Sequence, residues 1–272
     1  MSAQATEHRF VATQSSGEVS AILVRPETAR ALYVFGHGAG AGMRHVFMET
    51  VTEKLAELGI ATFRYHFPYM EAGRRGPNHA PILLKTVRSA VAEAASLEPE
   101  LPLLAGGKSM GGRMTSAAAS TQPLPGVLGL AFFGFPLHTP GQDSDERGAH
   151  LADVGLPMLF LQGTRDRLAR LDLLKPLLGR VKPASDAPRG GERRPRLSRH
   201  QEVRPHRRRG PRRDVLSLLH LDLGTGLICA QRLYRVGPRY PLGREVQADE
   251  RDRGEHERHP PEYRGVGGAH TD

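Results

Sequence analysis

Apolar and polar positions follow two rhythms through the first 181 residues. Residues 9–13 and 19–24 are short apolar runs around Ser15, Ser16 and Gly17, the pattern of a β-hairpin. Ala31–Phe35 is a continuous apolar run closed by glycine, as a buried parallel strand is. Residues 46–58 then place Phe47, Val51, Leu55 and Leu58 on one helical face. Gly59–Tyr65 predicts the next strand, and Leu83, Leu84, Val87, Val91 and Ala94 predict a helix over 81–95. Leu101–Ala105, Val127–Phe133 and Pro157–Leu161 predict further strands, with helices over Gly112–Ser120 and Leu168–Val181. Strands alternating with helices predict a mostly parallel sheet with helices on both faces, the α/β class.

The rhythm stops near residue 182, and the charge changes there too. Residues 1–181 hold 18 Lys+Arg and 16 Asp+Glu, a globular balance. Residues 182–272 hold 20 and 13, and 19 of those 20 bases are Arg. The reading is therefore one folded domain over 1–181 and an Arg/Pro/Gly-rich tail over 182–272, expected to lack regular structure apart from a short helix at Val215–Leu223. One cysteine, Cys229, excludes a disulfide scaffold and a Cys-based zinc site. No apolar run approaches the ~18 residues of a membrane span, and MSAQATEHRF lacks a signal-peptide core. A soluble, cytoplasmic protein is the expectation.

The chemistry concentrates in Gly107-Lys108-Ser109-Met110-Gly111, a G-x-S-x-G between a predicted strand and a predicted helix. Such a turn holds the serine hydroxyl proud of the sheet and offers the N–H of Met110 to an oxyanion. A phosphate loop needs glycine where Pro102 stands, so that reading fails. Gly36-His37-Gly38-Ala39-Gly40 follows the first parallel strand and can supply the second oxyanion donor from Ala39. The same loop fits a dinucleotide fingerprint, but the next strand ends in Arg64-Tyr65-His66, without the acid that such a site uses. His37 is expected to hold the loop. Asp166, just past the strand MLFLQ, stands where a triad acid orients its imidazole, and the order Ser then Asp suits a hydrolase.

The stretches GHGAGAGMRHVFM, LAELGIATFRYHFPYMEAGRRGPN, AGGKSMGGRMTS, FFGFPLH and LFLQGTRD resemble the α/β-hydrolase fold family. They are similar to its dienelactone-hydrolase-like group, which includes the testis-expressed hydrolase-like proteins. The resemblance covers about two thirds of the chain. It implies Ser109 as nucleophile and Asp166 as acid, with Phe67-Pro68-Tyr69 and Phe135-Pro136-Leu137-His138 near the site mouth. His138 itself is expected to pack or lie at the surface. No metal or cofactor is implied, and the partner is a small acyl substrate: ester, thioester or lactone.

The family pattern also needs a last strand ending in Asp-His-x-Phe-His, whose first His is the base. The chain contains no such segment, so the last strand and helix of the fold are expected to be missing. The tail histidines, His200, His206, His220, His256, His259 and His270, sit among Arg, Pro and Gly. Reading residues 186–211 one base later gives codons compatible with TLHVVENADHGFHVIKKSGRTDAEV. Arg194/Pro195 permits Asp there, and Pro195/Arg196 permits His. The recovered histidine falls about 29 positions after Asp166, a strand-plus-loop spacing of the kind expected. The tail thus reads as out of frame from near Pro183–Asp186. Its alternative, a basic arm for phosphates built on Arg207-Arg208-Arg209, lacks interleaved aromatics, so nucleic-acid binding is not expected. As translated, the chain is expected to have little hydrolase activity. A non-catalytic hydrolase-like scaffold stays open as the second function class.

Overall fold

The computed structural model describes residues 3–139, 141–163, 166–180, 228–230 and 233–235. Among the described residues, nine strands form one sheet: β1 (Ala3–Thr13), β2 (Gly17–Pro26), β3 (Ala31–Gly36), β4 (Ile60–Tyr65), β5 (Leu103–Lys108), β6 (Val127–Phe133), β7 (Met158–Leu161), β8 (Ile228–Ala230) and β9 (Leu233–Arg235). Their order is β1-β2-β4-β3-β5-β6-β7-β8-β9. β3 to β7 are parallel, and the β1–β2 hairpin adds antiparallel to β4. The mostly parallel α/β sheet read from the apolar rhythm is therefore present. The hairpin is longer than its apolar core suggested, because its outer positions are polar and exposed on an edge strand.

The helices are α1 (Val46–Glu57), α2 (Pro68–Glu71), α3 (Ala80–Leu97), α4 (Met110–Thr121) and α5 (Leu171–Arg180). A 3-10 segment spans Glu146–Asp153. The main core cluster packs one sheet face against α3, α4 and α5 through Val87, Val91, Met114, Ala118, Leu174 and Leu178. On the other face, Tyr33, Phe35, Leu104 and Ala131 meet Met48 and Leu55 of α1. Among the described residues, α1 is the only helix that contributes to this second cluster.

Two parallel strands differ in support. β3 is paired along its length on both sides, with β4 and β5. β7 receives β8 antiparallel at two pairs, Leu159↔Ala230 and Phe160↔Cys229. The short helix read over Val215–Leu223 and the other expectations for the tail, β8 and β9 aside, lie outside the described residues.

Candidate active site

Three loops meet at the C-terminal rim of the parallel strands, after β3, β5 and β7. The middle one carries Ser109 between Lys108, the last residue of β5, and Met110, the first of α4. Ser109 has φ 51 and ψ −114, and it is the only non-glycine residue with positive φ among the described residues. For an L-residue this conformation costs on the order of 1–3 kcal/mol and persists only where its surroundings impose it. Here they do. Ser109 N–H donates to Phe133 O at 3.0 Å, and Arg113 N–H donates to Ser109 O at 3.1 Å.

The glycines of the motif permit the close packing. A Cβ on Gly107 would stand 2.5 Å from Gly36 O, and one on Gly111 would overlap Gly36 and stand 2.7 Å from His37 O. Only bare backbone lets α4 start this close to β3. Ser109 is half-buried, and its hydroxyl makes no hydrogen bond among the described residues. Met110 is buried at the positive end of α4.

The loop after β3 is fixed by His37, which is fully buried. Its Nδ1–H donates to Gly38 O at 2.7 Å, and its Nε2 accepts from Phe67 N–H at 3.0 Å. One neutral tautomer satisfies both bonds. Burial pushes His37 down to about 4; the Gly38 bond opposes this, and nearby His66 adds to it. His37 is therefore a neutral strut with neither nitrogen free for a serine proton, as expected for a loop-holding role. Half-buried Ala39 follows it, its carbonyl accepting from Tyr69 Oη at 2.7 Å. Phe67 and Tyr69 are buried under this loop.

Asp166 follows β7. Its Oδ1 accepts from Leu168 N–H at 2.8 Å and its Oδ2 from Gln162 Nε2 at 2.5 Å. Burial raises its pKa, opposed by those two hydrogen bonds and by the charges of Lys108 and His138. The charge of Lys108, the residue before Ser109, reaches Asp166. Oδ2 also lies 3.4 Å from a Cβ built on Gly134, at the end of β6.

Gln162 was not singled out by the sequence reading. It is buried, and its Oε1 accepts Phe135 N–H at 2.8 Å while its Nε2 holds Asp166. It ties the acid to the loop after β6. A buried amide at a strand end, followed by Gly163, was the available signal. His138, expected to pack or lie at the surface, is buried: its Nδ1 bonds Thr139 O at 3.0 Å, and its Nε2 accepts from Arg170 N–H at 3.4 Å.

A separate cleft of about 510 Å³ lies between the β1–β2 hairpin and the loops after β3 and β4. Its hub is Glu71, which accepts from Ser20 N–H and Oγ, pairs with Arg9 and bonds His66 Nδ1 at 3.0 Å.

The alpha/beta hydrolase domain model matches residues 29–183. Among solved structures, the chain is similar to dienelactone hydrolase from Anabaena variabilis, with TM-score 0.56, 19% identity, and 68% of this chain and 84% of that one covered. It is also similar to an alpha-beta serine hydrolase homologue from Coxiella burnetii, with TM-score 0.54, 18% identity, and 65% and 83% covered. An esterase of Pyrococcus furiosus aligns with TM-score 0.53, 12% identity, and 65% and 77% covered. At these identities the likeness is one of fold. No curated protein matches the chain.

Proposed function

From the premise that the chain belongs to the alpha/beta hydrolase family, we propose that its site is that of a cytosolic serine hydrolase acting on a small ester, thioester or lactone, and that the translated chain lacks the base the reaction needs. The observation that carries the reading is Ser109, held at φ 51 on the β5–α4 turn with its hydroxyl unbonded among the described residues. In the complete reaction Ser109 Oγ attacks the acyl carbonyl and a histidine takes its proton. Asp166 orients and charges that histidine, and the N–H groups of Met110 and Ala39 receive the oxyanion. The cytosolic assignment rests on the single Cys229, and among the described residues no helix is long and apolar enough to cross a membrane.

Three observations support the missing base. His37 and His138 both spend their ring nitrogens on backbone. The family match ends at residue 183, where the frame is read to change. The Arg excess begins at the same place.

The test is to resequence the gene across residues 182–186 and to express the literal chain beside one restored in frame. Both are assayed on short p-nitrophenyl esters and with a fluorophosphonate probe. Turnover and Ser109 labelling in the restored chain uphold the reading. An intact frame in independent reads ends the frameshift, and absence of both turnover and labelling in the restored chain leaves the scaffold class.

A further inference from the structure

β1 is the first strand of the sheet, and among the described residues only β2 pairs with it. The backbone shows which of its residues face outward. Ser20 O accepts from His66 N–H at 2.9 Å, and Ser20 N–H donates to Glu71 Oε2 at 3.1 Å. Ser20 therefore turns its backbone groups toward β4 and away from β1. Its partner across the hairpin is Arg9, which is then a non-hydrogen-bonded position with its own N–H and C=O aimed off the sheet. Alternation gives the same direction to Ala5, Glu7 and Val11, ahead of the irregularity between Val11 and Thr13. Among the described residues, nothing bonds these outward groups.

A long unpaired edge is a template for another strand, and natural edges block it with lysine, proline or short length. β1 has 11 residues and neither lysine nor proline. Ala5, Glu7, Arg9 and Val11 share one face and are exposed. Val11, at 55%, is the most exposed large hydrophobic side chain among the described residues. Arg9 pairs with Glu18 and Glu71 through Nε and Nη1, and Glu7 pairs with Arg44 through Oε1. Arg9 Nη2 and Glu7 Oε2 take no partner among the described residues.

An antiparallel second copy must set outward residues against outward residues, which limits the registers. A two-fold axis at Glu7 opposes two glutamates, and one at Arg9 opposes two arginines. Axes at Thr6 or Phe10 leave both charges against uncharged side chains. An axis at His8 sets Glu7 against Arg9 of the second copy, and Ala5 against Val11, each twice. It also overlaps the strand from Ala3 to Thr13 without overhang. Charge, apolar surface and length thus select one register. Along it the charges alternate from Arg44 to Glu7, then to Arg9 of the second copy and its Glu18 and Glu71.

We propose that β1 is a dimerisation edge, which pairs antiparallel with β1 of a second copy about a two-fold axis at His8 and joins two sheets into one. Each copy uses its edge once, so the contact closes at two chains.

The experiment is sedimentation velocity of the full chain over a concentration series reaching about 100 µM. A reversible dimer and no larger species is expected. Glu7→Arg and Arg9→Glu each set like charges opposite one another, and each should raise the dimer dissociation constant about tenfold or more. Mixed one to one, the two variants should form a heterodimer near parent affinity, because each altered position then meets an opposite charge. Ala5→Pro removes an outward N–H that β2 does not use, and should weaken the dimer while far-UV circular dichroism stays unchanged. In a Cys229→Ser background, His8→Cys should give a disulfide-linked dimer on oxidation, since facing Cα atoms of a non-hydrogen-bonded pair lie about 4.5 Å apart. Thr6→Cys, set opposite Phe10, should not. A monomer throughout the series, species larger than a dimer, a dimer indifferent to Glu7→Arg, or a mixture that fails to rescue overturns the proposal.

Discussion

The Ser109 corner and the β7 edge are built from the same kind of strand, yet they are secured very differently. At the corner, β3 and β5 are paired on both sides, and glycines bring α4 against them. Ser109 N–H and C=O are both held, by Phe133 O and Arg113 N–H. At the β7 edge, Asp166 is held by Gln162 and Leu168 N–H, and β7 meets β8 at only two pairs. The corner depends on contacts made within residues 31–134. The edge depends on whatever follows residue 181. The difference teaches that one corner of a sheet rim can be fixed from both sides while a neighbouring strand end is held by few contacts.

The largest effect should come from completing the weak side. The chain restored in frame is expected to hydrolyse p-nitrophenyl acetate. Ser109→Ala in that background should cost on the order of 10⁶ in kcat, as loss of a triad serine does in subtilisin. The literal chain is expected to fall near the Ser109→Ala level. Steady-state kinetics on the three proteins decides it. Comparable turnover in literal and restored chains would break the comparison, because the edge would then already hold a base.

The strong side is tested by filling one of its glycines. Gly111→Ala places a methyl group against backbone of Gly36 and His37, neither of which can rotate away. Overpacking costs about 1–3 kcal/mol where side chains yield, so about 3 kcal/mol or more is expected here. Gly126, with nothing within 4 Å of its Cβ direction, supplies the contrast. Its φ of 76 makes the alanine strained but not clashing, at about 1 kcal/mol. Urea unfolding followed by far-UV circular dichroism suits a chain without tryptophan.

The legibility of the sequence follows the same division. α1 and α3 were readable within a few residues because their apolar faces repeat at helical spacing against one sheet. β5 was read as ending at Ala105 but runs to Lys108, because its pairing with β6 continues through Gly106 and Gly107. Periodicity carries no signal where side chains are absent. α2 and the 3-10 segment went unread, being too short for a period to show. The strand-to-helix turn at Ser109 and the place of Asp166 just past β7 were legible from motif and chain order. Gln162 was not, since its bonds to Phe135 N–H and Asp166 join residues that only the fold brings together. The β8–β9 pair at the edge of β7 was likewise invisible, as Ile228–Ala230 sits in no periodic run.

The loop after β3 supplies a pH test of similar size. His37 is held neutral by burial, with its pKa pushed down to about 4 from an ordinary 6.5. Below pH 6.5 the unfolded chain therefore takes up a proton that the folded chain refuses until about pH 4. Stability contributed by the neutral strut is present above pH 6.5 and is lost as pH falls toward 4. The loss should reach about 3 kcal/mol across that window. Urea midpoints at pH 7 and pH 4.5 should differ by more in the parent than in His37→Gln. Equal shifts would mean that the β3 loop opens before His37 titrates, so that this part of the site is no firmer than the β7 edge.

The smallest effect sharpens the comparison most, because it separates strain from contact. Ser109 makes no side-chain hydrogen bond among the described residues, so removing its side chain sacrifices little folded-state interaction. What it gives up is the backbone cost of φ 51 and ψ −114 in an L-residue. Glycine adopts that conformation freely, at the expense of a more flexible unfolded chain. The net expectation for Ser109→Gly is a gain of about 1 kcal/mol, read as a higher urea midpoint at unchanged slope. Ser109→Ala keeps the strain and should leave the midpoint near the parent's. A gain confined to glycine means the fold holds the serine against its own preference, which an idle turn has no reason to do. Equal midpoints for glycine and alanine would mean the turn relaxes, and the corner would then be no more preorganised than the edge it is compared with.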